Sequence, residues 1–135
     1  MACLDTTFLL DLQRQDTELG RRAARRIVDL AGRGETLATS RMNAAELYLG
    51  VELARDRRRE LESVHRVLSN LEILSFDDRA AWLFARSTAH LRRIGRPAGD
   101  MDVLIAATAL ANGHCLVTRN AAHFAAIPHL VVETY

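Results

Sequence analysis

The stretch Gly99-Asp100-Met101-Asp102-Val103-Leu104-Ile105-Ala106-Ala107-Thr108-Ala109-Leu110 constrains the fold more than any other part of the chain. Two acidic residues stand one apart, directly before an unbroken apolar run. Positions 101, 104, 105 and 108 keep the helical period, and Asn112-Gly113 supplies a stop. Asp100 is placed to cap the helix. A helix apolar on nearly every side belongs in a core, yet Asp102 sits in its first turn. A carboxylate there gains about 0.3–1 kcal/mol from the helix dipole. Capping needs only one of the two acidic residues, which leaves the second open to a functional role.

Around this core helix, short apolar runs alternate with helical patterns. Ala2-Cys3-Leu4 reads as a buried strand, Asp5 as its turn, and Thr6 or Thr7 as the cap of a helix through Phe8-Leu9-Leu10. Residues 17–32 form an amphipathic helix with Leu19, Ala23, Ile27 and Leu30 on one stripe and four arginines off it. Thr36–Thr39 predicts a second strand, and Ser40 caps a helix reaching about Ala54. The cluster Arg55-Asp56-Arg57-Arg58-Arg59 separates that helix from one carrying Leu61, Val64 and Leu68. Leu71–Phe76 predicts a third strand, 78–93 a helix, 114–118 a fourth strand, and 130–133 an edge strand. Strands separated by helices give an α/β domain with a mostly parallel sheet, one domain over 1–135.

Composition narrows the function. Half the chain is hydrophobic (49%) and a quarter charged (26%), the balance of a globular domain. No apolar run reaches the roughly 20 residues of a membrane span, and no signal peptide opens the chain. Cys3 and Cys115 both lie in apolar segments and read as buried reduced thiols, which places the protein in the cytoplasm. All 18 basic residues are arginine. The absence of lysine removes a Walker A lysine, a Schiff base and the lysine of a phosphoryl-receiver domain.

Three carboxylates remain in unusual settings: Asp5 after the first strand, Glu46 within the apolar helix Ala44–Leu49, and Asp102. Each has an ordinary alternative: a turn residue, an arginine's ion-pair partner, a dipole complement. Together they fall where a parallel sheet opens its crevice, beyond the carboxyl ends of the strands. Carboxylates crowded there repel one another, and an oxygen-preferring divalent cation resolves the conflict. Magnesium keeps waters, one of which can attack a phosphodiester.

The chain resembles the PIN-domain family of the VapC toxin type. The likeness rests on Leu4–Leu12, Ala45–Gly50, Asp102–Leu110 and Leu116-Val117-Thr118-Arg119-Asn120 with His123-Phe124 and Ile127-Pro128. It implies a PIN-like three-layer α/β/α fold and a Mg2+- or Mn2+-dependent endoribonuclease held inactive by a VapB-type antitoxin. It further implies an RNA substrate, a homodimer, Asp5 and Asp102 as metal ligands, and Glu46 as the third acidic residue. Thr6 matches the hydroxyl after the first aspartate, and Thr118 one able to orient a phosphate or water. The chain departs from the family at Asn120, where many members carry a fourth acidic residue, and Asp100 could compensate. Asn43 stands where a hydroxyl is common.

Such chemistry needs no histidine, so all five histidines are read as structural or surface residues. The arginines at 21–26 and 55–59 are solvated faces or RNA-phosphate contacts. Leu47, Leu49 and Leu53 offer either core or an antitoxin-binding surface. The competing functions are a catalytically idle PIN-like RNA- or protein-binding module and a housekeeping RNA-processing nuclease.

Overall fold

A computed structural model describes all of residues 1–135. The elements run β1 (Ala2–Leu4), α1 (Thr6–Gln13), α2 (Glu18–Gly32), β2 (Leu37–Ser40), α3 (Arg41–Leu53) and α4 (Arg57–Leu68). They continue with β3 (Glu72–Leu74), α5 (Asp78–Arg93), α6 (Asp100–Ala111), β4 (Cys115–Val117), α7 (Ala121–Phe124) and β5 (Val132–Glu133). All strand pairs are parallel, in the order β3-β2-β1-β4-β5.

Side chains alternate along β1, so the two faces of the sheet bury different residues. Ala2 and Leu4 join Phe8, Leu9, Leu30, Leu47, Val51 and Val64 beneath helices α1–α4. Cys3 turns the other way and joins Leu91, Val103, Ile105, Ala109 and Phe124 beneath α5, α6 and α7. This is the expected three-layer α/β/α arrangement. Helix α6 buries Val103, Ile105, Ala106, Ala107, Thr108 and Ala109, as a helix without a polar face must. It stops in a Schellman motif. Gly113 takes φ 67°, its N–H donates to Leu110 O (3.1 Å) and that of His114 to Ala109 O (3.0 Å), which turns the chain straight into β4. Gly20 is required for a different reason: a Cβ there would lie 1.9 Å from Arg14 O, inside the α1–α2 turn.

Several local expectations change. Gly99, not Asp100, is the N-cap of α6, and Asp100 is exposed in its first turn. Asp5, not Thr6 or Thr7, is the N-cap of α1, and its side chain makes no capping bond because it is engaged elsewhere. Arg57–Arg59 begin α4 instead of separating two helices, since Asp56 caps that helix by accepting from Arg59 N. Ser40 caps α3 as expected, in a full capping box with Asn43. Both cysteines are free, Cys3 buried and Cys115 only partly so. Leu47 belongs to the core, whereas Leu49 and Leu53 are exposed. The arginines at 21–26 are mostly engaged internally: Arg21 and Arg25 pair with Glu18, and Arg26 with Asp29 and Glu133.

Candidate active site

In this strand order the chain first moves from β1 outward through β2 to β3, then returns to the other side of β1 as β4. The reversal opens a crevice past the carboxyl ends of β1 and β4. Asp5 follows β1 and Thr118 follows β4, and the Thr118 hydroxyl donates to Asp5 Oδ2 across that gap at 2.7 Å. The Thr7 hydroxyl donates to the same oxygen at 3.2 Å. Asn43 Nδ2 donates to Asp5 Oδ1 at 3.0 Å. Asp5 is thus a buried carboxylate with both oxygens held by neutral donors.

Asn43 is the residue that sequence reasoning undervalued. It is fully buried and every polar valence of its amide is used. Its Oδ1 accepts from Ser40 N (3.2 Å) and Ser40 Oγ (2.6 Å), while Nδ2 donates to Asp5 and to Thr6 Oγ1 (2.9 Å). Thr6 in turn donates a short hydrogen bond to Glu46 Oε2. Helix α3 therefore supplies, three residues apart, the amide that aims Asp5 and the carboxylate that Thr6 holds. That spacing on one helical face was the available signal.

Glu46 and Asp102 complete the acidic wall. Each carboxyl is pushed above its ordinary range first by burial. For Glu46 the Thr6 hydrogen bond opposes this, and the charges of Asp5 and Asp102 add to it. For Asp102 the neighbouring His123 opposes it and Asp5 adds to it. His123 Nδ1 lies 3.3 Å from Asp102 Oδ2, so one histidine read as surface stands at the site. No arginine pairs with Asp5, Glu46 or Asp102: Arg119 is engaged with the buried Asp11 (3.3 Å), and Arg96, in the lining of a cavity that Asp102 also borders, makes no ion pair. The charges of Asp5 and Asp102 reach Glu46 and that of Asp5 reaches Asp102, but no group of three or more His, Cys, Asp or Glu side chains closes to metal-holding distance.

The remaining expected residues divide. Thr6 and Thr118 are within the hydrogen-bonded network. Asn120 approaches by its backbone alone, its N–H donating to Thr118 Oγ1 at 3.0 Å while its side chain makes no hydrogen bond. Asp100 is exposed in the first turn of α6 and forms no hydrogen bond or ion pair with the others.

Residues 2–130 match the PIN domain family. Ribonuclease VapC2 of Rickettsia felis is 31% identical over 80% of this chain and 81% of its own length. The tRNA(fMet)-specific endonuclease VapC of Salmonella typhimurium is 36% identical over 73% of this chain and 79% of its own. Among solved structures, VapBC2 of Rickettsia felis bound to a promoter DNA fragment superposes with a TM-score of 0.90 at 27% identity, covering 99% of this chain and 98% of that one. DNA-bound VapBC of Salmonella typhimurium gives 0.85 at 29% identity, covering 98% and 96%. With its three-layer fold and acidic crevice, the chain belongs to the PIN-domain family and, within it, to the VapC type.

Proposed function

We propose that the protein is a magnesium-dependent endoribonuclease, with Mn2+ able to replace Mg2+, and the toxin of a type II toxin–antitoxin pair. RNA cleavage is supported by the names of its relatives, ribonuclease and tRNA(fMet)-specific endonuclease. The observation that carries the mechanism is the crowding of three carboxylates in the crevice with no arginine paired to any of them. Burial and the charge of Asp5 raise the carboxyls of Glu46 and Asp102, opposed only by Thr6 and by His123, and a cation relieves that crowding.

The donor set suits the ion. It is all oxygen, and Mg2+ retains several waters while taking only one or two carboxylates from a protein. An open wall of acids fits that habit better than a closed cage. Asp5 and Asp102 would hold the ion, and Glu46 would join directly or through water. When bound, the ion lowers the pKa of a water and offsets charge developing on the phosphate.

The chain's own residues set the geometry for this. Asn43, Thr7 and Thr118 fix the Asp5 carboxylate, so it need not reorganise during the reaction. Thr6 occupies Glu46 Oε2 and leaves Oε1 free to take the proton of an attacking water. The Thr118 hydroxyl is buried and gives its proton to Asp5, so its part is to aim that carboxylate. A VapB-type antitoxin is the proposed partner, since the superposing structures are VapBC complexes. An antitoxin arginine among these carboxylates would imitate the cation. The working form is proposed as a homodimer, which light scattering of the purified protein tests.

The decisive experiment incubates purified protein with defined RNAs in Mg2+, in Mn2+ and in EDTA, beside Asp5→Ala. Cutting only with the metals, and none by Asp5→Ala, is expected. Cutting in EDTA overturns the metal assignment. RNA binding without any cleavage would instead mark an idle binding module, the reading that the neutral Asn120 favours.

A further inference from the structure

Beside Asp102, on the side occupied by His123, the structure holds a second feature that the acidic chemistry does not use. It is a cavity of about 320 Å3, with Leu91, Ala98, Ala122 and Ala126 along its apolar lining and Arg96, Asp102 and His123 as its polar side chains. That volume is at the low end of clefts that hold ligands, roughly 300–1,000 Å3, and suits a small planar group. We infer that this cavity is a nucleobase subsite, receiving one base that flanks the scissile phosphate; the inference rests on the nuclease reading above.

Three observations carry it. First, the cavity is continuous with the proposed site, because Asp102 belongs to its wall and His123 touches Asp102 at 3.3 Å. A strand with its phosphate at the carboxylates therefore has an adjacent base within reach of the opening. Second, the lining combines apolar surface with a guanidinium and an imidazole, the groups on which unstacked RNA bases are held. Third, Arg96 is uncommitted and its backbone is fixed. It makes no ion pair and no side-chain hydrogen bond, so its guanidinium is available at the opening of the cavity. Its backbone closes the Schellman motif that ends α5: Gly95 takes φ 67°, its N–H donates to Arg92 O at 3.2 Å, and Arg96 N–H donates to Leu91 O at 2.9 Å. Pro97 then restricts Arg96 to extended backbone. The guanidinium is free to turn over the opening, on a backbone corner whose partner Leu91 belongs to the same lining, where it can lie against a base. Shape and stacking, not a broad aromatic platform, then select the nucleotide, consistent with a chain that is only 5% aromatic.

The test pairs a filled cavity with a missing base. Single-turnover cleavage is measured for wild type, Ala122→Leu and Arg96→Ala on an oligoribonucleotide and on versions made abasic at each position flanking the cut. Stacking of one base supports a wild-type loss in kcat/KM of about ten-fold or more at one flanking position. In Ala122→Leu, whose added methyls occupy the cavity, that abasic penalty disappears, and Arg96→Ala reduces it. A penalty that persists in full in Ala122→Leu, or no sensitive position in wild type, overturns the subsite. Should wild type cut no RNA in Mg2+ or Mn2+, the nuclease reading fails separately. Quenching of 2-aminopurine placed along the same oligonucleotide then decides the subsite: quenching in wild type that Ala122→Leu abolishes upholds it, and equal signals in both refute it. Melting temperatures of both variants near wild type show that folding is not the cause.

Discussion

The floor and the wall of the crevice hold their carboxylates in opposite ways. At the floor, buried Asp5 receives three hydrogen bonds from neutral donors, and those donors are themselves satisfied. On the wall, Glu46 and Asp102 are half-buried, each with one protein partner, and both carboxyls are raised by desolvation and by Asp5. The floor is finished by the scaffold. The wall is left short of partners, and a proton, a neutral side chain or a bound cation would each relieve it. Preorganisation and ground-state strain are thus divided between neighbouring residues.

The comparison breaks most visibly at Asp102. Asp102→Asn keeps the shape and removes the charge, so RNA cleavage should fall at least about a thousand-fold, as expected for several kcal/mol of lost charge stabilisation. The variant should also melt no lower than wild type in EDTA, because a wall charge has been relieved. Loss of the fold, or normal cutting measured on gels, would contradict the assignment.

Replacing a floor donor should do the reverse and damage the fold. Asn43→Ala removes half of the Ser40 capping box and a donor to buried Asp5, together worth about 2–4 kcal/mol in urea denaturation. Asn43→Asp should be worse, since it sets a second carboxylate 3.0 Å from Asp5 Oδ1 where an amide now donates. A change below about 0.5 kcal/mol in Asn43→Ala would show that the floor is not held as described.

The same contrast explains what could be read from the chain. The alternation of strands and helices, the core helix α6 and the acidic residues were legible because each depends on spacing within a few residues. Asn43 could be placed beside Glu46 by helical period, but its bond to Asp5 joins residues 38 apart. Asp100 and the Thr6/Thr7 pair are not the caps: the N-caps Gly99 and Asp5 make no side-chain capping bond, one for want of a side chain and the other because its carboxylate is spent on the crevice. His123 reads from the sequence as a structural or surface residue, since nothing local announces that α7 folds back onto Asp102.

A third carboxylate sharpens the point. Asp11 is as buried as Asp5, but its partners are Tyr135, whose hydroxyl donates to Oδ2 at 2.7 Å, and Arg119 at 3.3 Å. The Tyr135 ring meets Phe8 edge-on with centroids 4.6 Å apart, and Arg22 donates to its terminal carbonyl at 2.7 Å. The last residue of the chain therefore latches α1 from behind the floor. Its phenol is pushed upward in pKa by burial and by Asp11, so it remains a donor across the physiological range. Tyr135→Phe should cost about 1–2 kcal/mol in urea denaturation, the loss of one hydrogen bond to a charged group with Arg119 still in place. An unchanged midpoint would mean that the latch is ring packing alone.

The smallest effect discriminates best between floor and wall. Glu46 and Asp102 have folded-state proton affinities above those of an unfolded chain, so between the two ranges the native state binds more protons. Their contribution to stability is complete below the ordinary carboxyl range, about pH 4, and is lost as pH rises through the raised values. Other acidic residues titrate too, so the quantity to follow is the difference in melting temperature between wild type and Glu46→Gln/Asp102→Asn in EDTA. The double variant should gain on wild type as pH rises from about 4 toward neutrality and then hold a constant lead. Mg2+ competes with those protons, so its stabilisation of wild type should be greatest near neutrality, shrink toward pH 4, and be weak in the double variant. Parallel melting curves for the two proteins at every pH would mean that the wall stores no strain, and the division of labour between it and the floor would fail with it.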